Sequence, residues 1–198
     1  MTQYLQIFAL ATGIIYMVMQ IFQNRLMWYF NLMTASAACC VALLNRSVDG
    51  EWAPLWAQVL LNAYFFILSL IGIFTWRKYS RMTGGKLHIV KLTRVEITAA
   101  GITALVGAPL LCMVLYHTND PFPVTDGMSM AFSIIAAWFL TRSHLEQWLM
   151  WIAADLLTIS LYAELGAWWM VALYYCYVLS AVIGIMHWKR HGEYIEVP

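Results

Sequence analysis

Trp148, Trp151 and Asp155 place two indoles and a carboxylate within one apolar stretch, "WLMWIAAD". On a helix of about 100° per residue the three fall within roughly 60° of arc, and at about 1.5 Å rise they spread over some 10 Å. Indole faces attract cations and stack flat rings, and a carboxylate supplies a counter-charge or accepts a hydrogen bond. The column therefore suits a flat, cationic heteroaromatic solute. A charged side chain near a bilayer centre costs about 2.5 to 3.5 kcal/mol on insertion scales, so Asp155 demands a partner. Two readings stand open: a carboxyl protonated or hydrogen-bonded to a neighbouring helix to hold a bundle together, or one that faces a cavity and meets a polar solute. Trp148 lies within a turn of the start of its run and fits an interfacial aromatic belt as well as a cavity wall.

Further polar side chains recur at helical spacing in two other apolar runs. Gln58, Asn62 and Ser69 follow one another around Phe65 and Phe66, and Tyr174, Tyr177 and Ser180 do so near the end of the chain, with Asn31 and Thr34 in an earlier run. Any one of these is explained by interhelical hydrogen bonding. Together they suggest a polar central site, with Asn62 and Tyr174 its foremost members after the Trp-Trp-Asp column.

The elements that must carry these residues follow from composition. With 63% hydrophobic and 11% charged residues in 198, the chain departs far from the make-up of soluble domains and is expected to be an integral membrane protein. Seven apolar runs, at 4–23, 26–44, 54–76, 95–117, 128–143, 146–163 and 167–188, approach the roughly 20 residues a helix needs to cross the hydrocarbon core. Period-two alternation is absent, which excludes a barrel and leaves an all-α, seven-transmembrane-helix bundle. The N-terminal residues lack a basic leader region, and the first run is expected to be retained. Cys39, Cys40, Cys112 and Cys176 lie within runs and are expected to be buried small hydrophobes.

Orientation follows from the basic residues. The segment Arg77 to Arg94 holds six of the eleven Lys and Arg, which places that loop in the cytoplasm; alternation then puts ten basic residues inside and only Arg46 outside. The expected topology is N-terminus outside and C-terminus cytoplasmic.

The chain also matches itself. "NRLMWYF" lies over "QWLMWIA" at a displacement of 123, and "GIFTWRK" over "GIMHWKR" at 112. Residues 4–78 and 127–190 thus read as duplicated three-helix units joined by a linker helix at 95–117. Three helices leave the chain on the opposite face and the linker returns it, giving a parallel 3+1+3 repeat within a single transmembrane domain, the SWEET-like plan of some small transporters.

Other chemistries find little support. The five histidines sit at helix ends or in loops without metal-ligand spacing, no second acid or His shares the depth of Asp155 as a membrane enzyme would require, and "MTGG" is a turn rather than a phosphate loop. The expectations are no catalysis, no cofactor, no nucleic acid, and transport not driven by ATP in this chain.

The stretch "DGMSMAFSIIAAWFLTRSHLEQWLMWIAAD" resembles the Pnu family of bacterial vitamin transporters, whose mark is Trp-x-x-Trp-x-x-x-Asn/Asp, here Trp148, Trp151 and Asp155, after a Thr-Arg pair, here Thr141 and Arg142. "NAYFFILSLIGIFTWRK" is similar to the signature of the family's first repeat. The resemblance implies a seven-helix, commonly trimeric protein of the inner membrane. It implies facilitated diffusion by alternating access, with a cytoplasmic vitamin kinase trapping the solute. By motif it makes Trp148, Trp151 and Asp155 substrate contacts, with Asn62 where nicotinamide riboside transporters tend to carry Gln, and Tyr174 on a family tyrosine; Gln58, Ser69 and Tyr177 join them from the polar stripes. Because Asp155 stands where those transporters usually show Asn, thiamine is the expected substrate, with nicotinamide riboside or riboflavin as alternatives.

Overall fold

A computed structural model describes residues 2–44, 56–117 and 122–196. These form two compact units, Met1–Gly85 and Lys86–Pro198. The chain is mostly helical, with seven helices among the described residues: α1 Thr2–Ile21, α2 Met27–Leu43, α3 Trp56–Thr83, α4 Arg94–His117, α5 Pro123–Thr141, α6 Gln147–Glu164 and α7 Trp168–His191.

Five of them, α1, α3, α4, α5 and α7, are long and apolar enough to cross a membrane. Helix α2 is apolar but has 17 residues, and α6 has 18 and carries Gln147, Asp155 and Glu164, which lower its hydropathy. Large apolar side chains lie exposed along the long helices, among them Leu60, Phe74, Leu105, Met113 and Leu179, a distribution that suits hydrocarbon and not water. The chain is a multi-pass membrane protein.

Several boundaries differ from those expected. Helix α3 runs to Thr83 rather than 76, because its last two turns are polar but still helix-forming. It stops at Gly84 and Gly85, whose φ of 63° and 84° are left-handed, so "MTGG" is a glycine helix stop. Helix α5 begins at Pro123, five residues before the expected 128, since proline is accommodated at a first helical turn. Helix α4 contains a π-turn, Thr103–Gly107, just before Pro109; widening the turn relieves the clash of the proline ring with the preceding carbonyls. The fold is also not purely α. A parallel two-stranded ribbon pairs β1, His88–Val90, with β2, Glu193–Ile195. The cysteines are free, but Cys40 and Cys176 lie exposed on helix faces where burial was expected.

Within the first unit α2 packs on both α1 and α3, and within the second α6 packs on both α5 and α7, with α4 against α5. The two units share a local design. In the first, Gln23 turns at a left-handed φ of 51°, the Asn24 amide donates to the Met19 carbonyl and the Met27 amide to that of Asn24. In the second, Ser143 turns at 60°, the His144 amide donates to the Phe139 carbonyl and the Gln147 amide to that of His144.

The same pairing of helices recurs. Trp28 meets Trp76 edge-on with centroids 5.4 Å apart, and Trp148 meets Trp188 edge-on at 5.7 Å. A Cβ on Gly72 would strike the Trp28 indole, and one on Gly184 that of Trp148. The turn and first tryptophan therefore repeat at a displacement of 120, Asn24 to His144 and Trp28 to Trp148, while the last helix repeats at 112, Trp76 to Trp188. The turn geometry thus recurs at 120, three residues from the displacement of 123 at which the Leu-Met-Trp triplets match.

Candidate solute site in the second unit

The structure gathers an acid and three tyrosines from α6 and α7. Asp155 is 8% exposed and makes no hydrogen bond or ion pair among the described residues. Tyr174 and Tyr177 of α7 are its neighbours. Tyr174 stacks on Tyr162 with centroids 5.6 Å apart and planes 28° apart, and meets Tyr177 edge-on at 5.4 Å. Asp126, in the first turn of α5, neighbours Tyr162 and Tyr174.

The surrounding helices are tied together beside this group. Ser129 of α5 donates to the Ala154 carbonyl over 3.2 Å and lies 2.9 Å from the Thr158 hydroxyl, which donates to Ala154 as well. That link brackets Asp155 on α6. Among the described residues the interhelical polar bonds here are carried by neutral hydroxyls. Of the two readings of Asp155, the structural tie has no hydrogen bond to support it among the described residues.

The expected site residues separate into groups. Asp155, Tyr174 and Tyr177 come together. Trp151, half-buried, turns its indole N–H to the Gln147 side chain at 3.2 Å. Trp148 is 2% exposed and lies in the α6–α7 seam over Gly184, where its ring fills space between helices. In the first unit, Asn62 donates to the Gln58 carbonyl over 2.8 Å, and the Gln58 residue is exposed. Ser69 is fully buried, donates to the Phe65 carbonyl and accepts from Asn31 at 3.0 Å, so its hydroxyl joins α2 to α3. At the displacement of 112, Asn62 is the counterpart of Tyr174.

Two members were not anticipated. Tyr162 is seven residues beyond Asp155, two helical turns along the same face, a spacing legible in the sequence. Asp126 lies before the expected start of its helix at 128, in the turn that Pro123 adds.

The sequence profile of the family described as "Nicotinamide mononucleotide transporter" matches residues 3–190. The chain belongs to this family. Among curated relatives, it is 27% identical over 155 residues to the nicotinamide riboside transporter PnuC of Neisseria mucosa, covering 70% of this chain and 58% of that protein. It is 23% identical to the PnuC of Haemophilus influenzae over 203 residues, covering 91% and 88%, and 22% identical to that of Escherichia coli, covering 68% and 66%. The crystal structure of a vitamin B3 transporter PnuC superposes with a TM-score of 0.67 over 95% of this chain and 83% of that one, at 24% identity. The family fold is thus shared across nearly the whole chain.

Proposed function

We propose that this protein is a passive transporter for a flat cationic vitamin, nicotinamide riboside above all. The observation that carries the proposal is Asp155: a buried carboxylate without a hydrogen-bond partner among the described residues, beside stacked tyrosines. A pyridinium ring brings both the positive charge that offsets the acid and a face that tyrosine rings attract. The profile match and the names of the three PnuC relatives support nicotinamide riboside over the thiamine expected from the sequence. Thiamine stays as a second reading on one observation, the aspartate at 155 where nicotinamide riboside transporters usually show asparagine.

In this proposal Asp155 is the counter-charge, Tyr174, Tyr177 and Tyr162 form the aromatic surface, and Trp151 lies one turn along α6. Asn62 and Gln58 are proposed polar contacts, while Trp148 and Ser69 act through helix packing. The wider reading keeps a seven-span, 3+1+3 transmembrane domain with the N-terminus outside and the C-terminus in the cytoplasm. It further keeps a homotrimer in the inner membrane, facilitated diffusion and a downstream kinase that retains the solute. Transport rather than catalysis is supported by the relatives' names. Calorimetric titration of the purified protein with nicotinamide riboside, thiamine and riboflavin tests the substrate. Asp155→Asn is expected to weaken binding of the cationic ligand at least about tenfold. Unchanged affinity would remove the acid from the site.

A further inference from the structure

A separate cleft of the first unit lies where the α1–α2 turn meets α3. Arg25 and Leu26 from the α1–α2 turn, Tyr29 from α2, and Ile73 and Arg77 from α3 line a cavity of about 200 Å³. Arg77 donates to the Tyr29 hydroxyl over 2.8 Å, which fixes one guanidinium at the cavity wall. Both arginines are exposed, and neither forms an ion pair among the described residues. No Asp or Glu occurs among the described residues of this unit, so its cations have no internal counter-ion there.

We propose that Arg25, Tyr29 and Arg77 bind a phosphate anion, supplied by the headgroup of an acidic phospholipid. Two guanidiniums and a hydroxyl match the oxygens of a phosphate, and arginine binds that group through paired N–H donors. The volume lies below the roughly 300 Å³ at which pockets for whole organic ligands begin, and so suits a headgroup phosphate rather than an entire solute. Leu26 and Ile73 give the cleft an apolar side where a lipid's glycerol and upper chains would lie, an arrangement typical of basic lipid sites at helix ends.

The recurring turn argues that Arg25 and Tyr29 are not needed for folding. At the same positions the second unit has Leu145 for Arg25 and Leu149 for Tyr29, yet builds the same turn and the same edge-on tryptophan pair. Arg25 and Tyr29 are additions to the shared frame, while Arg77 has a cation, Lys189, at its counterpart position.

The test uses the full chain in nanodiscs of phosphatidylcholine with or without phosphatidylglycerol, and native mass spectrometry to count retained lipids. Phosphatidylglycerol is expected to be retained in preference to phosphatidylcholine, and R25Q/R77Q is expected to reduce that preference by about tenfold. Arg190→Gln, which removes a cation at the end of α7, should leave it unchanged. Tyr29→Phe and Arg25→Gln alone, each a smaller change to packing, should produce partial losses should the double variant fail to fold. A calorimetric titration with inorganic phosphate in phosphatidylcholine discs separates the sources: binding there without any lipid preference assigns the site to a soluble phosphate. Equal lipid retention by wild type and by the arginine variants, with no phosphate binding by wild type, overturns the proposal.

Discussion

Trp148 meets Trp188 edge-on, centroids 5.7 Å apart and planes 88° apart, across a glycine that admits no side chain. Trp28 and Trp76 repeat the arrangement over Gly72 in the first unit. Edge-to-face aromatic pairs add about 0.5 to 1.5 kcal/mol beyond their buried area, so this contact is a principal clamp of each unit's last two helices. Trp148, for which the sequence leaves an interfacial belt and a cavity wall equally open, fills the seam between α6 and α7.

The first prediction follows from that glycine. A Cβ on Gly184 would sit 2.5 Å from the Trp148 ring, and the ring is held by Trp188 and cannot swing away. Gly184→Ala is expected to destabilise by about 1 to 3 kcal/mol through overpacking, seen as a lower thermal midpoint in detergent. Gly101 of α4 has nothing within 4 Å of its virtual Cβ. Gly101→Ala should therefore be neutral or stabilising by up to about 1 kcal/mol, the helix-propensity gain. A lower midpoint for both variants would show that the Trp–Gly contact is not the cause.

The second prediction separates stacking from hydrogen bonding in the solute site. Tyr174 has aromatic partners on two sides, Tyr162 and Tyr177. Tyr174→Phe keeps the ring and should change vitamin affinity by less than about threefold. Tyr174→Ala removes it and should cost at least about tenfold, or 1.4 kcal/mol. Calorimetric titration of each variant reads the difference. Equal losses in the two would mean that the hydroxyl, not the ring, is the contact.

The sequence made the helices and their order legible because a membrane admits few alternatives and apolar runs mark their own lengths. Asp155 was legible for the same reason, as an ionisable group among apolar ones. What escaped was tertiary. Whether Trp148 faces a ligand or a glycine depends on the residue opposite it on α7, and helical angle alone does not supply that partner. The sequence pairs the two units through the Leu-Met-Trp triplets at a displacement of 123, whereas the left-handed turns at Gln23 and Ser143 recur at 120, a register that only the backbone reveals. The β1–β2 ribbon was hidden because each strand has three residues, too few for periodicity.

The third prediction concerns Glu96, which sits 6% exposed at the start of α4. Its carboxylate receives the Thr93 amide and hydroxyl at 2.8 Å, completing a capping box, and one oxygen also faces Arg142 at 3.0 Å and the His144 ring at 3.1 Å. These contacts gather the α4 start and the α5–α6 turn on one side chain. Glu96→Gln keeps the shape but replaces an acceptor oxygen with a donor against donors. A loss of about 1 to 3 kcal/mol is expected from the buried polar mismatch. A thermal midpoint equal to wild type would mean that the network carries little of the unit's stability.

The last prediction concerns pH. His88 in β1 is 3% exposed, with Nε2 3.1 Å from the Ser143 hydroxyl and Nδ1 3.3 Å from the Lys86 carbonyl. Burial pushes the imidazole below its ordinary range, and the Lys86 carbonyl opposes this more weakly. In the neutral ring Nδ1–H donates to the carbonyl and Nε2 accepts from the hydroxyl, so both bonds are satisfied without a buried charge. With a folded-state value below the unfolded one, the open state binds more protons and stability rises with pH. The contribution is fully present above the ordinary histidine value of about 6.5 and falls as the pH drops through it. Hydrogen exchange of the β1 and β2 amides, corrected for intrinsic rates, should therefore show protection that weakens from pH 7 toward 5. His88→Gln should flatten that dependence. A slope unchanged in the variant would place the proton on another group of the ribbon.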